Sequence, residues 1–267
     1  MRVRPLGLGI LAPGLTGWTE AAAVLRGEQT YRSEVLAPPP PVGLTPNERR
    51  RATLATRLAL ATAGQATAGA NLSGTGLLSV FASSDGDMGL IDSMCRATYE
   101  HHEPPSPTVF QNSVHNAVAG YWSIAEGCRE ASTSVAAGDG SFAAGLLEAV
   151  TQAGVNGRPV LLVAFDVPAP ALLHPHRSFS APFACALLLA PALPGEDRGV
   201  LTLAPAGAGE AAPDTTMTDP DLEALRTGNP AARALPLLAA VAAETAARVH
   251  LPYWPDLHLA VDLEPGR

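Results

Sequence analysis

Residues 111–149 constrain the fold more than any other part of the chain. They predict a loop and a short helix, then a buried strand at 131–137, a Gly138-Asp139-Gly140 turn and a helix of small residues from Ser141. A strand that enters a helix through a glycine turn is the usual mount for a catalytic nucleophile. The glycine turn contains no residue of the type expected for the nucleophile. The sequence therefore predicts the strand–turn–helix unit without its reactive side chain.

At 267 residues the chain fits one large domain or two small ones, and we expect a single domain spanning residues 1–267. The chain is 47% hydrophobic and 16% charged, which suffices for a large buried core. Because aromatic residues make up only 5% of the chain, Ala, Leu and Val must fill that core. We expect residues 1–205 to form the core of the domain and 206–267 to add a helical extension and a final strand, with a linker at 207–219.

Apolar strands alternate with helices along the chain, which predicts an α/β fold. The strands are apolar throughout, so we expect a mixed, largely parallel sheet covered by helices on both faces. The expected strands lie at 6–11, 76–83, 158–166 and 257–263, with 183–189 and 199–204 as a hairpin. The expected helices include 45–70, capped by Thr45, and most of 219–249, with breaks near Pro230 and Pro236.

Charge and cysteine content bound the partners and the compartment. The net charge of −8 argues against nucleic acid or an anionic membrane as the main partner. Cys95, Cys128 and Cys185 are widely spaced and form no CxxC pair, which is typical of reduced thiols in a cytoplasmic protein. No apolar stretch is long enough to span a membrane.

Several segments together carry a family resemblance: 7–13, 49–63, 106–110, 112–116, 119–124, 134–149 and 183–189. In this order they resemble the N-terminal half of β-ketoacyl synthases, which have the thiolase fold. More narrowly, the chain is similar to the truncated ketosynthase-like subunits of aryl polyene biosynthesis. Those subunits pair with a full-length synthase as a chain-length factor.

The departures from the family pattern concern the catalytic residues. The resemblance places the family's cysteine at Gly138 or Asp139, and neither can carry an acyl thioester. Cys128 precedes the strand and lies too far back to substitute. The family's two histidine motifs belong to its C-terminal half and do not occur here. The resemblance thus implies a non-catalytic subunit of a heterodimer with a full-length β-ketoacyl synthase, with an acyl carrier protein as a possible further partner.

Two residues of the turn keep alternative interpretations. Asp139 lies where an acidic residue can cap the helix N-terminus. Ser141 is either a first-turn helical serine or an alternative nucleophile, which would make the chain a small acyl-thioester hydrolase or acyltransferase. The surrounding Gly-Asp-Gly-Ser-Phe is not the Gly-x-Ser-x-Gly of serine hydrolases. A third class, a homodimeric carrier-protein or acyl-binding module, also remains open.

Six further residues are candidates for an interface or a pocket: Asn112, His115, Asn116, Tyr121, Trp122 and Phe142. His115 and Asn116 either line a pocket or dimer interface, or hydrogen-bond to each other and hold the loop.

No cofactor or metal ion is expected. The glycines at 7, 9 and 14 do not form a GxGxxG motif. The histidines at 101, 102, 174 and 176 lie in proline-rich loops without Cys or paired acids, which favours solvated surface. The cluster at residues 49–51 consists of three arginines and is either a solvated helix face or a contact for an acidic carrier protein.

Overall fold

A computed structural model describes residues 1–206 and 213–266 of the chain. Within them, eight strands form one sheet in the order β3-β2-β4-β5-β1-β6-β8-β7. The strands are β1 (Arg2–Leu11), β2 (Leu78–Ala82), β3 (Ser132–Val135), β4 (Val160–Asp166), β5 (Phe183–Pro191), β6 (Leu201–Ala206), β7 (Ala247–Trp254) and β8 (Leu257–Leu263).

Nine α-helices accompany the sheet in the described ranges. They are α1 (Trp18–Leu25), α2 (Pro46–Arg51), α3 (Leu54–Gly69), α4 (Met88–Tyr99), α5 (Pro107–Asn112), α6 (Ala117–Glu126), α7 (Ser141–Asn156), α8 (Pro220–Thr227) and α9 (Leu235–Ala243). Short 3₁₀ helices occur at Gly74–Gly76 and Ala231–Ala234.

The sheet is mixed, as the sequence predicts, but it is not largely parallel. Only β2 with β3 and β2 with β4 pair in parallel, and the remaining strand pairs are antiparallel. The predicted hairpin of β5 with β6 is also wrong, because β1 lies between these two strands and pairs with both. An apolar run shows that a strand is buried, but it does not reveal the strand's direction or its neighbours.

Both faces of the central strands are covered. Along β4, Leu161 and Val163 belong to the cluster that contains α3 and α6, whereas Leu162 and Ala164 belong to the cluster around α7 and α9. Successive side chains of a strand point to opposite faces. A strand that is apolar at every position, as β4 is, therefore lies between two layers of helices.

The strand before the turn differs from its prediction. The sequence indicates a buried strand at 131–137, but β3 lies at the edge of the sheet and its four residues are exposed or half-buried. Its one strand partner in the described chain is β2. The apolar and hydroxyl side chains of this stretch do not distinguish a central strand from an edge strand.

The predicted helix at 45–70 is two helices. Thr45 and Glu48 form a capping box at the start of α2. The backbone becomes extended at Ala52, and the side chain of Thr53 caps α3 by accepting from the amide of Thr56. A second capping residue inside the pattern thus starts a new helix.

The C-terminal part adds a strand that the sequence analysis missed. Residues expected to be helical up to 249 include the start of β7, which forms an antiparallel pair with β8. Part of the expected linker at 207–219 lies outside the described residues. The part that is described runs beside β7, where Thr215 and His250 exchange hydrogen bonds through the amide of each residue.

Candidate functional site

The turn between β3 and α7, here called the elbow, comprises residues 137–141. Gly138 has φ +55, a left-handed conformation that glycine adopts without strain. Ser141 is the first residue of α7 and is only 1% exposed. Its hydroxyl donates to the carbonyl of Gly138 at 2.7 Å and accepts from the amide of Ala137 at 2.9 Å. The buried hydroxyl of Ser141 therefore stabilises the turn through hydrogen bonds to its backbone.

The geometry favours the helical interpretation of Ser141 over the nucleophilic one. Its hydroxyl is buried, and its two hydrogen bonds go to backbone groups rather than to a histidine. A serine nucleophile requires a base within hydrogen-bond reach and an open path for the substrate. Neither requirement is met in this arrangement.

Asp139 does not cap α7, which corrects the expectation from the sequence. The cap position is Gly140, and it provides no side-chain hydrogen bond to the helix. The carboxylate of Asp139 turns outward and is 59% exposed, 3.4 Å from a guanidinium nitrogen of Arg177 and 4.0 Å from one of Arg233. The two arginines, distant in sequence, attract the carboxylate away from the helix end.

Neither candidate for the cysteine position places a thiol at the elbow. Gly138 has no side chain and Asp139 presents a carboxylate to the arginines. Cys128 precedes β3 and is buried, with its sulfur 3.4 Å from the carbonyl oxygen of Leu77. Because Leu77 precedes β2, this thiol lies at the end of the parallel strands remote from the elbow.

The C-terminal hairpin closes one side of the elbow. A Cβ atom at Gly140 would come within 2.1 Å of the carbonyl oxygen of Tyr253, so only glycine fits at this position. A depression of about 470 Å³ lies between the elbow and the hairpin tip. The depression is lined by Asp214, His258 and Arg233. Oδ1 of Asp214 lies 2.9 Å from Nε2 of His258. These residues belong to the C-terminal extension at 206–267, and the sequence analysis did not identify them as site residues.

A second polar group lies at the carboxyl ends of β2 and β4, next to the elbow. Asp166 ends β4 and is 1% exposed; its Oδ1 accepts from the hydroxyl of Ser83 at 2.8 Å and from the amide of Ser84 at 2.9 Å. Burial raises the pKa of Asp166 to about 7, against the lowering effect of these hydrogen bonds. An acidic residue at the end of an apolar strand is the sequence signal that could have identified Asp166. The sequence analysis did not use this signal.

Arg177 connects this polar group to the elbow. Its Nε donates to Asp85 at 2.7 Å, and the same guanidinium hydrogen-bonds Ser84 and approaches Asp139. Carboxyl ends of parallel strands are where α/β sheets place their binding residues. The loops after β2, β3 and β4 therefore converge on one charged cluster.

The predicted interface candidates separate into two sets. Asn112, His115 and Tyr121 line a small cleft beside α2, and the Tyr121 hydroxyl donates to Asn112 at 3.2 Å. His115 Nε2 lies 3.0 Å from the carbonyl oxygen of Ser83, so it holds the loop to β2. Asn116 is exposed at the start of α6 and does not pair with His115 in the described contacts.

Trp122 and Phe142 are core residues, which corrects their prediction as interface or pocket residues. Trp122 is 1% exposed in the cluster on the α3 side, and Phe142 is fully buried in the cluster around α7. Both lie on helices, and a helix sequence of this apolar composition does not reveal which face packs inward.

The remaining groups singled out in the sequence are four histidines and two cysteines. The histidines at 101, 102, 174 and 176 are exposed. Cys95 is exposed and Cys185 is buried, and both are free thiols. Among the described residues, no group of three metal-ligating side chains is present. No helix in the described ranges is long and apolar enough to cross a membrane.

A mixed sheet with α7 packed against β2, β4 and β5, and a nucleophile-type elbow at the N-terminus of that helix, defines a thiolase-like, ketosynthase-type fold. The chain belongs to the family described as "Beta-ketoacyl synthase, N-terminal domain", which matches residues 25–250. The predicted family and fold class are thereby confirmed. A search of curated proteins found no match.

Solved structures of ketosynthase complexes share the fold over nearly their whole length. A chain of "Ketosynthase (ApeO) in Complex with its Chain Length Factor (ApeC) from Xenorhabdus doucetiae" has a TM-score of 0.71 at 23% identity, covering 98% of this chain and 99% of that one. "The ishigamide ketosynthase/chain length factor" gives 0.74 at 16%, covering 99% of both chains. An acyl-carrier protein complex with its ketosynthase, AntDE:AntF, gives 0.73 at 12%, again covering 99% of both.

Proposed function

We propose that this ketosynthase-like subunit is non-catalytic and acts as a chain-length factor for a full-length β-ketoacyl synthase. The observation that carries the proposal is an elbow without a thiol, in which Asp139 faces arginines and the Ser141 hydroxyl is engaged by the turn. Condensation requires a thiolate to accept the acyl chain and donors to stabilise the enolate. Because the scaffold is retained without the thiolate, we infer that this subunit acts on the partner synthase through its shape alone.

The edge strand β3 supports pairing with a synthase. The carbonyls of Ala131 and Val135 accept hydrogen bonds from the β2 segment, so by alternation the backbone groups of Ser132 and Ser134 point outward. An edge strand with unpaired backbone groups is a template for another chain. We infer that the synthase covers this edge.

Exposed apolar side chains on α5, on α6 and on the loop between these helices support the same partner. Phe110 is 65% exposed on α5, and Val114 and Ile124 are about half exposed on the adjoining loop and on α6. α6 packs against both β2 and β3. Large apolar side chains that gather on one surface mark a binding site more often than single ones do.

A basic surface supports contact with an acyl carrier protein. Arg49, Arg50 and Arg51 are exposed on α2, and they form no ion pair within the described part of the chain. Concentrated positive charge on an acidic chain attracts an acidic partner and accelerates encounter. We place this assembly in the cytoplasm and, from the sequence resemblance, in aryl polyene biosynthesis.

Co-expression with a full-length β-ketoacyl synthase tests the proposal. We expect a heterodimer that survives size-exclusion chromatography, and products whose length changes when this subunit is omitted. Ser134→Pro removes the outward amide of β3 and should abolish association, whereas the matched control Ser134→Ala keeps that amide and should associate normally. If the chain never co-purifies with a synthase, or if product length does not depend on it, the chain-length-factor role is wrong.

A further inference from the structure

The connection between β4 and β5, residues 167–182, crosses beside the elbow. Its last part is fixed, because the Ser180 amide donates to the carbonyl of Gly228 at 2.8 Å and Asn229 donates to the carbonyl of Ala181 at 2.8 Å. Its middle part, residues 171–176, is largely exposed and makes mostly local turn hydrogen bonds. Segments with few buried contacts open locally at low free-energy cost.

Arg177 is the attachment point between these two parts. Its Nε donates to Asp85 Oδ2 at 2.7 Å, a second nitrogen hydrogen-bonds the Ser84 hydroxyl, and a third lies 3.4 Å from Asp139. The guanidinium also lies over the Phe179 ring at 4.8 Å from its centroid. One side chain of the connection thus bridges the loops that follow β2 and β3.

The loop that receives Arg177 is itself firmly held. The Ser84 amide donates to the buried Asp166, and the Ser83 hydroxyl donates to the same oxygen while accepting from the amide of Gly86. Two hydrogen bonds thus fix Ser83 and Ser84 to the end of β4, and a third holds the loop together from within. The loop that receives Arg177 is therefore held in place independently of Arg177.

We propose that residues 167–182 form a strap that Arg177 holds closed over Ser84 and Asp85, in the loop after β2 beside the elbow, and that the strap opens when its bridge to Asp85 and Asp139 is broken. Opening exposes Ser84 and Asp85, whose side chains Arg177 now covers. The strap controls access to the polar cluster at the carboxyl ends of β2 and β3. This inference does not depend on the proposed function.

The bridge responds to ionic strength because it is only partly buried. The side chains of Arg177 and Asp85 are 32% and 20% exposed, and Asp139 is more exposed than either. Dissolved salt screens charges that water reaches, and it has less effect on buried pairs. The strap should therefore open more often at high salt.

Limited trypsin digestion tests the strap. The chain contains no lysine, and Arg177 is the one trypsin site in residues 167–182. We would follow cleavage after Arg177 by mass spectrometry in the wild type, Asp85→Asn and Asp139→Asn, relative to cleavage after Arg226 in the same digest. Asp197→Asn is the matched control, because it removes a surface pair with Arg2 away from the strap.

We expect Asp85→Asn to raise the cleavage ratio about tenfold, since it removes a charged hydrogen bond of the closed state. Asp139→Asn should give a smaller rise and Asp197→Asn none. In the wild type, 1 M NaCl should raise the same ratio and the hydrogen exchange of residues 171–176. A ratio unchanged by Asp85→Asn and by salt overturns the proposal. If Asp85→Asn unfolds the chain, the salt comparison on the wild type decides alone.

Discussion

The body of α7 and its N-terminal end differ sharply. Along the body, Phe142 and Leu146 are fully buried against the sheet. At the end, one turn away, Asp139 lies in water between two arginines. The packing that fixes the helix is therefore separate from the group that the helix presents. The side chain presented at the elbow can therefore differ without a change in the packing that fixes the helix.

The largest expected effect is in the helix body. Phe142→Ala should destabilise the chain by about 3–5 kcal/mol, because it removes a buried ring and leaves a cavity. Urea denaturation followed by circular dichroism measures this loss. Phe110→Ala, which removes an exposed ring, is the control and should change stability by less than about 0.5 kcal/mol. Similar losses in both variants would contradict the assignment of Phe142 to the core.

The next effect is the pH dependence due to Asp166. Its pKa, about 7 in the fold, lies above the ordinary value of a carboxyl group, so the folded state binds more protons between these values. Its stabilising contribution is complete below pH 4 and is lost as the pH rises through 7, at up to about 1.4 kcal/mol per pH unit. Asp166→Asn should flatten this decline, as measured by urea midpoints from pH 4 to 8. An identical slope in the variant and the wild type would refute the role of Asp166.

Ser141→Ala should have a smaller effect, about 1–2 kcal/mol, since the amide of Ala137 loses its buried acceptor. Thioester turnover by the purified chain should be negligible in both the wild type and the variant. Robust turnover in the wild type that Ser141→Ala abolishes would favour a serine hydrolase over a non-catalytic subunit.

The smallest effect is at the exposed carboxylate of the elbow. Asp139→Asn should change the free energy of unfolding by less than about 0.5 kcal/mol, because its ion pairs are long and solvated. Thermal denaturation of the variant and the wild type at low and high salt would measure this change in stability. A loss as large as that of Ser141→Ala would mean that the charge of Asp139 holds the turn, and the contrast between helix body and helix end would then fail.

Local sequence signals predicted the position of the elbow turn and the bounds of some elements well. The Gly138 turn, the start of α7 at Ser141 and the span of β8 follow from patterns contained within a few residues. The buried character of β3 and the pairing of β5 with β6 were predicted wrongly, because strand neighbours depend on the whole sheet. Periodicity reports burial and does not report sheet order.

The charged part of the site could not be predicted from local patterns. Arg177 is 38 residues from Asp139 along the chain, and it meets Asp85 across 92 residues. Such pairs form only when the loops after separate strands converge. Trp122 and Phe142 were assigned to a surface because the sequence does not orient a helix whose residues are mostly small and apolar.

The contact between Gly140 and Tyr253 has a consequence for engineering this chain. The turn at 138–140 packs closely against the β7–β8 hairpin although the two segments lie far apart in sequence. A grafted turn with any residue other than glycine at position 140 would place its Cβ atom against the carbonyl oxygen of Tyr253. Chimeras should therefore exchange the two segments together.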